Sequence, residues 1–562
     1  MKKTVDPRQN WLFDTSLARF SELACRRLAE DWPGIFRTCI LELMPVEEIG
    51  AHFSEVMGRP TKELYSACGL LLLLELNDWT VEDAADAYMF DARVQFSLNL
   101  GADHQSMSTR TVERYQKLFR DDELGHDVMT RVTTRLVELL DVQIDKLRLD
   151  STHIFSNMAT FGRTRLMIAV TRRFLIQVKR HNPDSYAALA DDLRSRYEKN
   201  NWTFGKGNKG GLSGEVVAAD MHALIAAYED DESINTRTTF KDLVCVFSQQ
   251  CELLEDKIVI RKHTGGDVMQ NPSDPDATYD AKKGQGYQVQ TAETCSDDND
   301  TQLIVSAIPE TACEHDQNAV EKVLDDLQSN GMEPSDLVAD AGYGGDDNFC
   351  DCRDRGVKLT SPVIQGKLKE GRIELGAFEL DSSNCITSCP VGVAPERAWF
   401  NDDKDCGAAV FAAQHCENCP LLERCQARIN GSNYYIFYKG RALRIAERKR
   451  DMETPETRAL YAKRSGIEAT YSTGKRTVGL GRLRVRGRPA VFTAILLKIT
   501  GLNILRAAGN AKIRRLVEEK LAQHMIFQLK TQLHDLLGTL IAGWPILRAT
   551  CPETFEMRDP QI

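Results

Sequence analysis

The sequence predicts a multidomain α/β protein, in which a mixed core is interrupted by a helical insertion and a cysteine-rich insertion. Three observations support this prediction. Apolar residues recur with helical spacing in residues 1–138, two strand-like segments lead into aspartates at positions 150 and 340, and cysteines cluster in residues 381–430. At 562 residues the chain is too long for one compact core, so we expect several domains.

The charge of the chain is strongly segregated. The net charge of -11 would, taken alone, argue against a nucleic-acid partner. Residues 439–515, however, contain 20 Lys and Arg against 5 acids, so this segment carries +15 and the remainder carries -26. Because a local basic zone sets the affinity for phosphates, a nucleic-acid partner stays compatible with the sequence.

No export signal or membrane segment is expected. Met1 leads into a polar stretch with no apolar run behind it. The longest apolar run, Gly69–Leu74, is far shorter than the roughly 20 residues that span a bilayer. We therefore expect a cytoplasmic protein whose 16 cysteines are reduced thiols or metal ligands.

Residues 1–138 are predicted to form a helical N-terminal domain that binds DNA, with Thr80 and Ser108 as helix N-caps. A helix over residues 108–120 could be part of a helix-turn-helix that docks in a DNA groove, or a surface helix of a bundle. Its two faces differ in character, with Arg110, Arg114 and Lys117 on one side and Val112, Tyr115 and Phe119 on the other.

The first strand is predicted in the segment IDKLRLDSTHI, where Leu147 and Leu149 alternate with polar residues and Asp150 ends the strand. An acid at a strand's end is well placed for an exposed site beside a rigid sheet. It is also a common turn residue, so Asp150 alone does not establish a site.

The core is predicted to resume after a helical insertion over about residues 155–262, which contains a Gly/Lys-rich loop at 205–214. Two strands, a helix and a further short strand follow, and that last strand ends at Asp340 before a Gly-rich turn. The predicted segments are Gly286–Thr294, Thr301–Glu310, 315–330 and 336–340.

Four functional side chains recur at helical spacing in the stretch TRALYAKRSGIEATYSTGK. Tyr461, Arg464, Glu468 and Lys475 are separated by three, four and seven residues, so a single helix would present all four on one face. A carboxylate flanked by cations could hold a metal ion while the cations bind nucleic-acid phosphates. The same pattern also fits a solvated, salt-bridged helix face.

The stretch resembles the Y-x2-R-x3-E-x6-K signature of bacterial insertion-sequence transposases of the DDE type, in the insertion sequence 1182 group. Segments around Asp150 and Asp340, the segment DPDATYDAKKGQGYQVQ and the N-terminal GRPTKELYSA share the resemblance. The order of strands and helices is that of a ribonuclease-H-like fold, in which three acids converge.

The resemblance implies that Asp150, Asp340 and Glu468 bind two Mg2+ ions, with Mn2+ as a substitute. Tyr461, Arg464 and Lys475 would support the site by contacting phosphates or bracing Glu468. The implied activity is DNA transposition, by strand cleavage at transposon ends and strand transfer into target DNA. The implied partners are double-stranded DNA and further copies of the chain, as a homodimer or larger synaptic complex in a bacterial, nucleoid-associated setting.

The cysteine-rich insertion, residues 381–430, is predicted to bind a structural zinc ion. Cys389 opens a turn, and a C-x2-C pair followed by one more cysteine supplies three further thiolates, at Cys416, Cys419 and Cys425. Cys385 and Cys406 are possible substitutes. An iron-sulfur cluster and free thiols are the competing interpretations.

A run of arginines follows the signature stretch with no acid among its members. On an extended loop these arginines would form a comb for a DNA backbone, although a solvated tail would have the same composition. The arginines are Arg476, Arg482, Arg484, Arg486 and Arg488.

The last apolar helix is predicted to pack on the sheet rather than to span a membrane, because Lys498 interrupts it. The resulting domains are 1–138, the first core part 139–380, the zinc-binding insertion 381–430, the second core part 431–510 and a C-terminal helical tail 511–562.

Two other functions stay open at this point. A ribonuclease-H-like nuclease would cut DNA without joining it, and a non-catalytic DNA-binding protein would use the helical domain and the zinc cluster alone.

Overall fold

The computed structural model describes residues 1–7, 20–101, 106–198, 212–255, 257–363 and 371–520. It divides into two compact units, one formed by Met1–Val142 with Thr500–Ile562 and the other by Gln143–Ile499. Most of the predicted Gly/Lys-rich loop and most of the predicted C-terminal tail lie outside the described residues.

The first unit is built from helices. Thr80 closes a capping box with Asp83, and the Ser108 hydroxyl accepts a hydrogen bond from the Thr111 amide, so both residues cap helices as the sequence predicts. The helices are α1 (Glu22–Glu30), α2 (Trp32–Ile35), α3 (Val46–Ala51), α4 (Leu64–Leu76), α5 (Val81–Phe90), α6 (Ala92–Ser97), α7 (Thr109–Asp121) and α8 (Leu124–Leu140).

The second unit begins with one strand and a helical insertion that has its own apolar core around Met167, Phe174 and Leu224. The insertion was predicted as helical to residue 262, but the chain turns extended at Cys251 and closes a hairpin, in which the Arg261 amide donates to the Gln250 carbonyl. The elements are β1 (Lys146–Ile154), α9 (Arg163–His181), α10 (Pro183–Ala187), α11 (Asp191–Glu198), α12 (Gly214–Tyr228), α13 (Glu232–Asn235), α14 (Thr238–Gln250), β2 (Cys251–Leu254) and β3 (Lys257–Ile260).

The core sheet follows the predicted order of two strands, a helix and a strand. The strands and helices of this region are β4 (Thr278–Asp280), β5 (Gly284–Thr294), β6 (Ile304–Thr311), α15 (Ala319–Ser329), β7 (Asp336–Ala339), α16 (Asp346–Asp354) and β8 (Lys358–Thr360). Strand β1 lies between β5, which is antiparallel to it, and β7, which is parallel. Strand β6 pairs with β5, and β8 extends the parallel side. This mixed sheet fits a ribonuclease-H-like core.

Strand β1 is longer than predicted. It was expected to end at Asp150, but it pairs with β5 as far as Ile154. Strand β7 pairs with β1 only as far as Leu149. Asp150 therefore lies inside β1, at the position where the pairing between β1 and β7 has ended.

The cysteine-rich segment is a small sheet domain with an apolar core of its own. Phe411, Ile436 and Tyr438 form part of its apolar core. The sheet reaches Lys439, past the predicted boundary at residue 430. Its elements are β9 (Glu379–Leu380), β10 (Ile386–Ser388), β11 (Arg397–Asn401), β12 (Cys406–Ala412), α17 (Ala413–Cys416), β13 (Arg428–Asn430) and β14 (Asn433–Lys439), with β11, β12, β14 and β13 in antiparallel order.

The signature stretch is not one helix. It comprises the end of α19 (Pro455–Ala462), a 3-10 turn at Lys463–Ser465 and α20 (Gly466–Thr477), after α18 (Gly440–Glu453). The break occurs where the Arg148 guanidinium donates to the Lys463 carbonyl. A Cβ atom at Gly466 would lie 1.9 Å from Arg148 Nη1, so glycine makes room for this contact.

The last long helix, α21 (Arg488–Ala508), is apolar and long enough to cross a membrane by length and composition. In its most apolar window, however, 72% of the residues are buried inside the structure, as in a core helix. The ring of Phe492 packs edge-on against Tyr287 of β5, in agreement with the predicted packing on the sheet. The buried Lys498 ammonium donates to the Val478 carbonyl at 2.7 Å.

Candidate active site

The two predicted aspartates lie side by side on adjacent parallel strands. Leu149 and Ala339 are register partners, and Asp150 and Asp340 are the residues that follow them. Neighbouring strands are about 4.8 Å apart, so the register brings the two carboxylates together. Because β7 ends at Ala339, the edge of β1 beyond this point is open, and both side chains are placed at that opening.

Asp150 is a largely buried carboxylate with two direct partners. Its Oδ1 accepts the Ser151 amide at 2.8 Å, and its Oδ2 accepts Arg464 Nη1 at 3.2 Å. Burial raises the pKa of Asp150 to about 6, and the nearby carboxylates of Asp340 and Asp316 add to that rise while Ser151 and Arg464 oppose it. The site thus concentrates negative charge in a region that water solvates poorly.

Arg464 links the first acid to the third. While Nη1 of its guanidinium donates to Asp150, Nη2 lies 3.5 Å from Glu468 Oε1. The Glu468 side chain is 69% exposed, so it reaches the site from the solvent side. Arg464 therefore places a positive charge between two of the three predicted acids, and Asp340 follows the strand position next to Asp150.

The loop after Asp340 is held by a buried arginine. The Asp340 carboxylate accepts the Gly342 amide at 2.7 Å, and its carbonyl accepts the Ser361 hydroxyl. Arg448, which is 4% exposed, donates to the carbonyls of Gly344 and Ser361. These bonds fix the turn that presents the Asp340 side chain.

Several residues that support the site were not found by sequence reasoning. Tyr471 on α20 donates its hydroxyl to the Asp150 carbonyl at 2.6 Å and contacts the Thr291 hydroxyl. Nearby, Arg148 of β1 pairs with the fully buried Glu293 of β5 at 2.7 Å. The spacing of Tyr471 and Glu468 on α20 was the only available signal, since the partners are far away in sequence.

Asp316 is a fourth acid at the site. It lies in a 3-10 turn just before α15, and its Oδ1 accepts Gln290 Nε2 at 3.1 Å. The other end of the Gln290 amide accepts the buried Tyr343 hydroxyl at 2.6 Å. Sequence reasoning placed Asp316 in a helix and gave it no role, because no motif marks it.

The two remaining signature residues differ in exposure. Tyr461 is half-buried on α19, and Lys475 is exposed on α20. Burial lowers the pKa of Lys475, and nearby Lys283 lowers it further. Lys283 also donates to the Ser151 hydroxyl at 3.1 Å, next to Asp150. Lys283 was not singled out in the sequence, although it lies in the segment that carries the family resemblance.

The donor chemistry of the site suits a hard cation, since carboxylate oxygens are the ligands that Mg2+ prefers. Within the described ranges, however, no group of three or more His, Cys, Asp or Glu side chains is arranged as a metal site. At the carboxylates, the guanidinium of Arg464 lies between Asp150 and Glu468. The acids would have to close around an ion after Arg464 moves away.

The four cysteines predicted as zinc ligands line one small pocket together with His415. Burial raises the pKa of Cys416 to about 11, and the thiols of Cys425, Cys419 and Cys389 contribute to the rise. The structure thus brings the four thiols together, although they too are not arranged as a metal site in the described part of the chain. Cys385 and Cys406 lie outside the pocket lining.

The arginine run forms an exposed comb beside β1. Phe155 and Asn157 pair with residues 481–485 through backbone hydrogen bonds, so the run is extended. Leu483 is buried, while the alternate arginines are exposed, as the sequence predicts for a comb. The exposed members of the loop are Arg482, Arg484 and Arg486, with Arg476 exposed on α20 and Arg488 at the start of α21.

The basic face of α7 is exposed in the first unit. Val112, Tyr115 and Phe119 are buried, and the guanidinium of Arg114 lies over the Phe53 ring. Residues 98–108 join α6 to α7, which is longer than the three or four residues of a helix-turn-helix turn. This length favours the alternative of a surface helix of the bundle, and the helix-turn-helix interpretation stays a prediction. The cations on its exposed face are Arg110, Arg114 and Lys117.

Comparison with known proteins gives one family match. Residues 388–508 match the family model of the transposase DDE domain. This range contains most of the cysteine-rich sheet and the helix with Glu468, but neither Asp150 nor Asp340.

Among solved structures, the chain matches a cryo-EM structure of the piggyBac transposase synaptic complex with hairpin DNA. The two are 9% identical, the match covers 91% of this chain and 81% of that chain, and the TM-score is 0.29. A likeness this weak establishes neither a common fold nor a common function. Comparison with curated proteins gives no match. The family match at residues 388–508 supports the interpretation of the chain as a DDE transposase.

Proposed function

We propose that this protein is a bacterial transposase of the insertion sequence 1182 group, which cleaves DNA at transposon ends and joins the ends to target DNA. The observation that carries the proposal is the strand register that brings Asp150 next to Asp340, together with the link from Asp150 to Glu468 through Arg464, where Glu468 lies inside the range that matches the transposase DDE domain. The acids come from two parallel strands and a helix, the arrangement that the resemblance implies.

Asp150, Asp340 and Glu468 would hold two Mg2+ ions, with Mn2+ as a substitute, and Asp316 adds a further negative charge near Asp150. Bound there, the ions would activate the attacking oxygen and stabilise the leaving 3′ oxygen. Arg464 leaves its bridge between Asp150 and Glu468 and donates to a DNA phosphate instead. Tyr471 holds the Asp150 backbone in place while this exchange occurs.

The substrate is double-stranded DNA, first at the element's ends and then at the target. Water attacks a phosphodiester at the end, and the freed 3′ hydroxyl then attacks target DNA in the same in-line displacement. Lys475 and Lys283 contact phosphates next to the acids, and Tyr461 contacts the backbone or braces Glu468. The arginine comb from Arg476 to Arg488 and the basic face of α7 bind the flanking duplex.

We further propose a structural Zn2+ held by Cys389, Cys416, Cys419 and Cys425. Thiolates suit zinc, and the four cysteines that line one pocket equal the number of ligands in a structural zinc site. Joining two DNA ends requires a homodimer or larger synaptic complex, and the site of action is the bacterial nucleoid.

The test uses purified protein, a plasmid with the inverted repeats that border the coding region, and Mg2+. We expect cleaved ends and joined products from the wild type and from Asp347→Asn, an exposed acid near the site. We expect neither product from Asp340→Asn. Cleavage without joining would instead identify a nuclease, and DNA binding without cleavage would identify a non-catalytic protein.

A further inference from the structure

The outward face of the four-stranded sheet in the cysteine-rich domain carries a row of aromatic side chains. By strand register, Trp399 of β11 pairs with Ala408 of β12, and Ala408 pairs with Phe437 of β14. The three residues therefore form one row across the sheet. In the next outward row, Val410 separates Arg397 from Tyr435.

These aromatic rings form a continuous exposed surface. Trp399 is 38% exposed and Phe437 is 61% exposed, whereas Ala408 between them is only 1% exposed. The rings of Tyr435 and Phe437 are stacked, with centroids 5.7 Å apart and planes within 10° of each other. Exposing this much aromatic surface has a free-energy cost, so such a surface marks an interaction site more often than a scattered single residue does.

The charges around this aromatic surface are positive. Arg397 lies at one side with its guanidinium 5.2 Å from the Trp399 ring centre, Arg428 pairs with Tyr435 on the next strand, and Lys439 ends β14. All four strands belong to the described residues, and none of their outward-facing positions carries an acid. The acids at the border of this surface lie outside the strands. Glu396 precedes β11 and accepts a hydrogen bond from Asn433 Nδ2 at 3.2 Å, and in the turn between β11 and β12 Asp405 pairs with Arg444.

We propose that this sheet face binds single-stranded DNA. Unpaired bases stack on Trp399, Tyr435 and Phe437, and the cations at the rim bind the phosphates. Stacking on aromatic side chains in a positively charged surface is the general mode of single-strand recognition, and a four-stranded sheet with exposed aromatics is one of its recurrent platforms. The rim cations are Arg397, Arg428 and Lys439.

The charge distribution selects this occupant over a protein partner. A second copy or another protein that covered the rings would have to bury or neutralise cations on both sides of the row, whereas a polyanion neutralises them directly. Duplex DNA is also excluded as the preferred ligand, because its bases are stacked inside the helix and cannot reach a flat sheet. This inference goes beyond the proposed function, since single-strand binding at the sheet face requires neither DNA cleavage nor the carboxylate site.

The test measures the affinity of the full-length protein for a fluorescein-labelled oligothymidylate and for a duplex of equal length, by anisotropy. The buffer contains no Mg2+ or Mn2+, which prevents cleavage, and no chelator, which would remove the proposed zinc. We expect Trp399→Ala and Phe437→Ala each to weaken single-strand binding about ten-fold, since each removes a stacking ring. Duplex binding should be unchanged. Trp399→Phe, which keeps a ring, should restore most of the single-strand affinity.

Phe90→Ala is the matched control, because Phe90 is a 77% exposed aromatic residue in the other unit. It should leave both affinities unchanged. Equal losses for single strand and duplex, or unchanged single-strand affinity in both variants, would overturn the proposal. So would sedimentation showing that Trp399→Ala dissociates an oligomer without affecting single-strand binding, because a second copy would then be the occupant. Unchanged circular dichroism in the variants excludes unfolding as the cause of a loss.

Discussion

The carboxylate site and the thiol pocket are both clusters of side chains that we propose as metal ligands, but they are held together differently. The thiols come from a single segment, residues 389–425, and line a pocket beside one small apolar core. The carboxylates come from β1, β7 and α20, and Asp150 is held by bonds from residues more than three hundred positions away. One site depends on local spacing, and the other depends on the assembly of the whole sheet.

This difference determines how strongly each site depends on any single contact. Removing one thiolate from a tetrahedral set removes a quarter of the ligands, and a domain of this size depends strongly on its metal. The carboxylates are supported by many bonds from the scaffold, so loss of any one support should weaken the site gradually. The predictions below test that contrast.

The largest effect is expected from Cys416→Ser. The variant should lose its zinc, and the cysteine-rich sheet should unfold, because zinc binding at such sites contributes about 10–16 kcal/mol that is coupled to folding. Zinc content by a colorimetric chelator and limited proteolysis of residues 381–439 provide the measurement. Cys385→Ser and Cys406→Ser are the controls, since these thiols lie outside the pocket lining. Zinc loss in the controls equal to that in Cys416→Ser would contradict the assignment.

The next effect is expected on the carboxylate side, from Arg148→Met. Glu293 is fully buried and pairs with Arg148 at 2.7 Å, so removing the cation leaves a buried charge without its partner. Such a loss costs about 3–5 kcal/mol in the free energy of unfolding, measured by urea denaturation.

Arg353→Met is the control for this experiment. Arg353 and Asp354 form an exposed ion pair, with side chains 56% and 70% exposed, so the change should cost about 0–1 kcal/mol. Equal losses of unfolding free energy in Arg148→Met and Arg353→Met would mean that the Arg148–Glu293 ion pair does not hold α20 to the sheet.

The contrast also explains what the sequence could predict. Thr80, Ser108, the paired strands before Asp150 and Asp340, and the cysteine spacing are local patterns, and the structure contains the corresponding caps, strands and thiol pocket. The 3-10 break in the signature stretch was missed because its cause, the bond from Arg148 to the Lys463 carbonyl, joins residues 315 positions apart. No local pattern encodes such a bond.

The true end of β1 was missed for a related reason. Thr152 and His153 are polar but buried, because β5 continues to pair with them. A polar residue in a buried strand position breaks the alternation on which strand prediction depends. The same cause explains why sequence reasoning did not identify Glu293, Gln290 and Tyr471 as residues of the site. Their polar groups are satisfied by partners that are distant in the sequence.

A smaller effect is expected from Asp150→Asn on the stability of the metal-free protein. The pKa of Asp150 is raised to about 6 in the folded state, against an ordinary value of 3.8, so the fold favours the protonated form. Stability from this group is therefore complete below about pH 4 and is lost as the pH rises through about 6.

Above pH 6 the Asn variant should be more stable than the wild type by about 2 kcal/mol, while at pH 4 the two should be equal. Urea denaturation at several pH values, in buffer without Mg2+, Mn2+ or a chelator, measures this. A wild type that becomes more stable between pH 4 and pH 7, relative to the variant, would show that Arg464 dominates over burial. In that case Arg464 would already neutralise the carboxylate site, and the site would not need an external cation.

The smallest effect is expected from Arg484→Ala in the exposed comb beside β1. If the comb delivers DNA to the carboxylates, removing one phosphate contact should weaken duplex binding a few-fold and reduce the slope of log Kobs against log salt by about 1. Arg180→Ala, an exposed cation of the helical insertion, should leave the slope unchanged. An unchanged slope in Arg484→Ala would assign phosphate binding at the carboxylates to Lys283 and Lys475 instead. The carboxylate site would then depend on the core sheet and α20 for its positive charge as well as for its geometry.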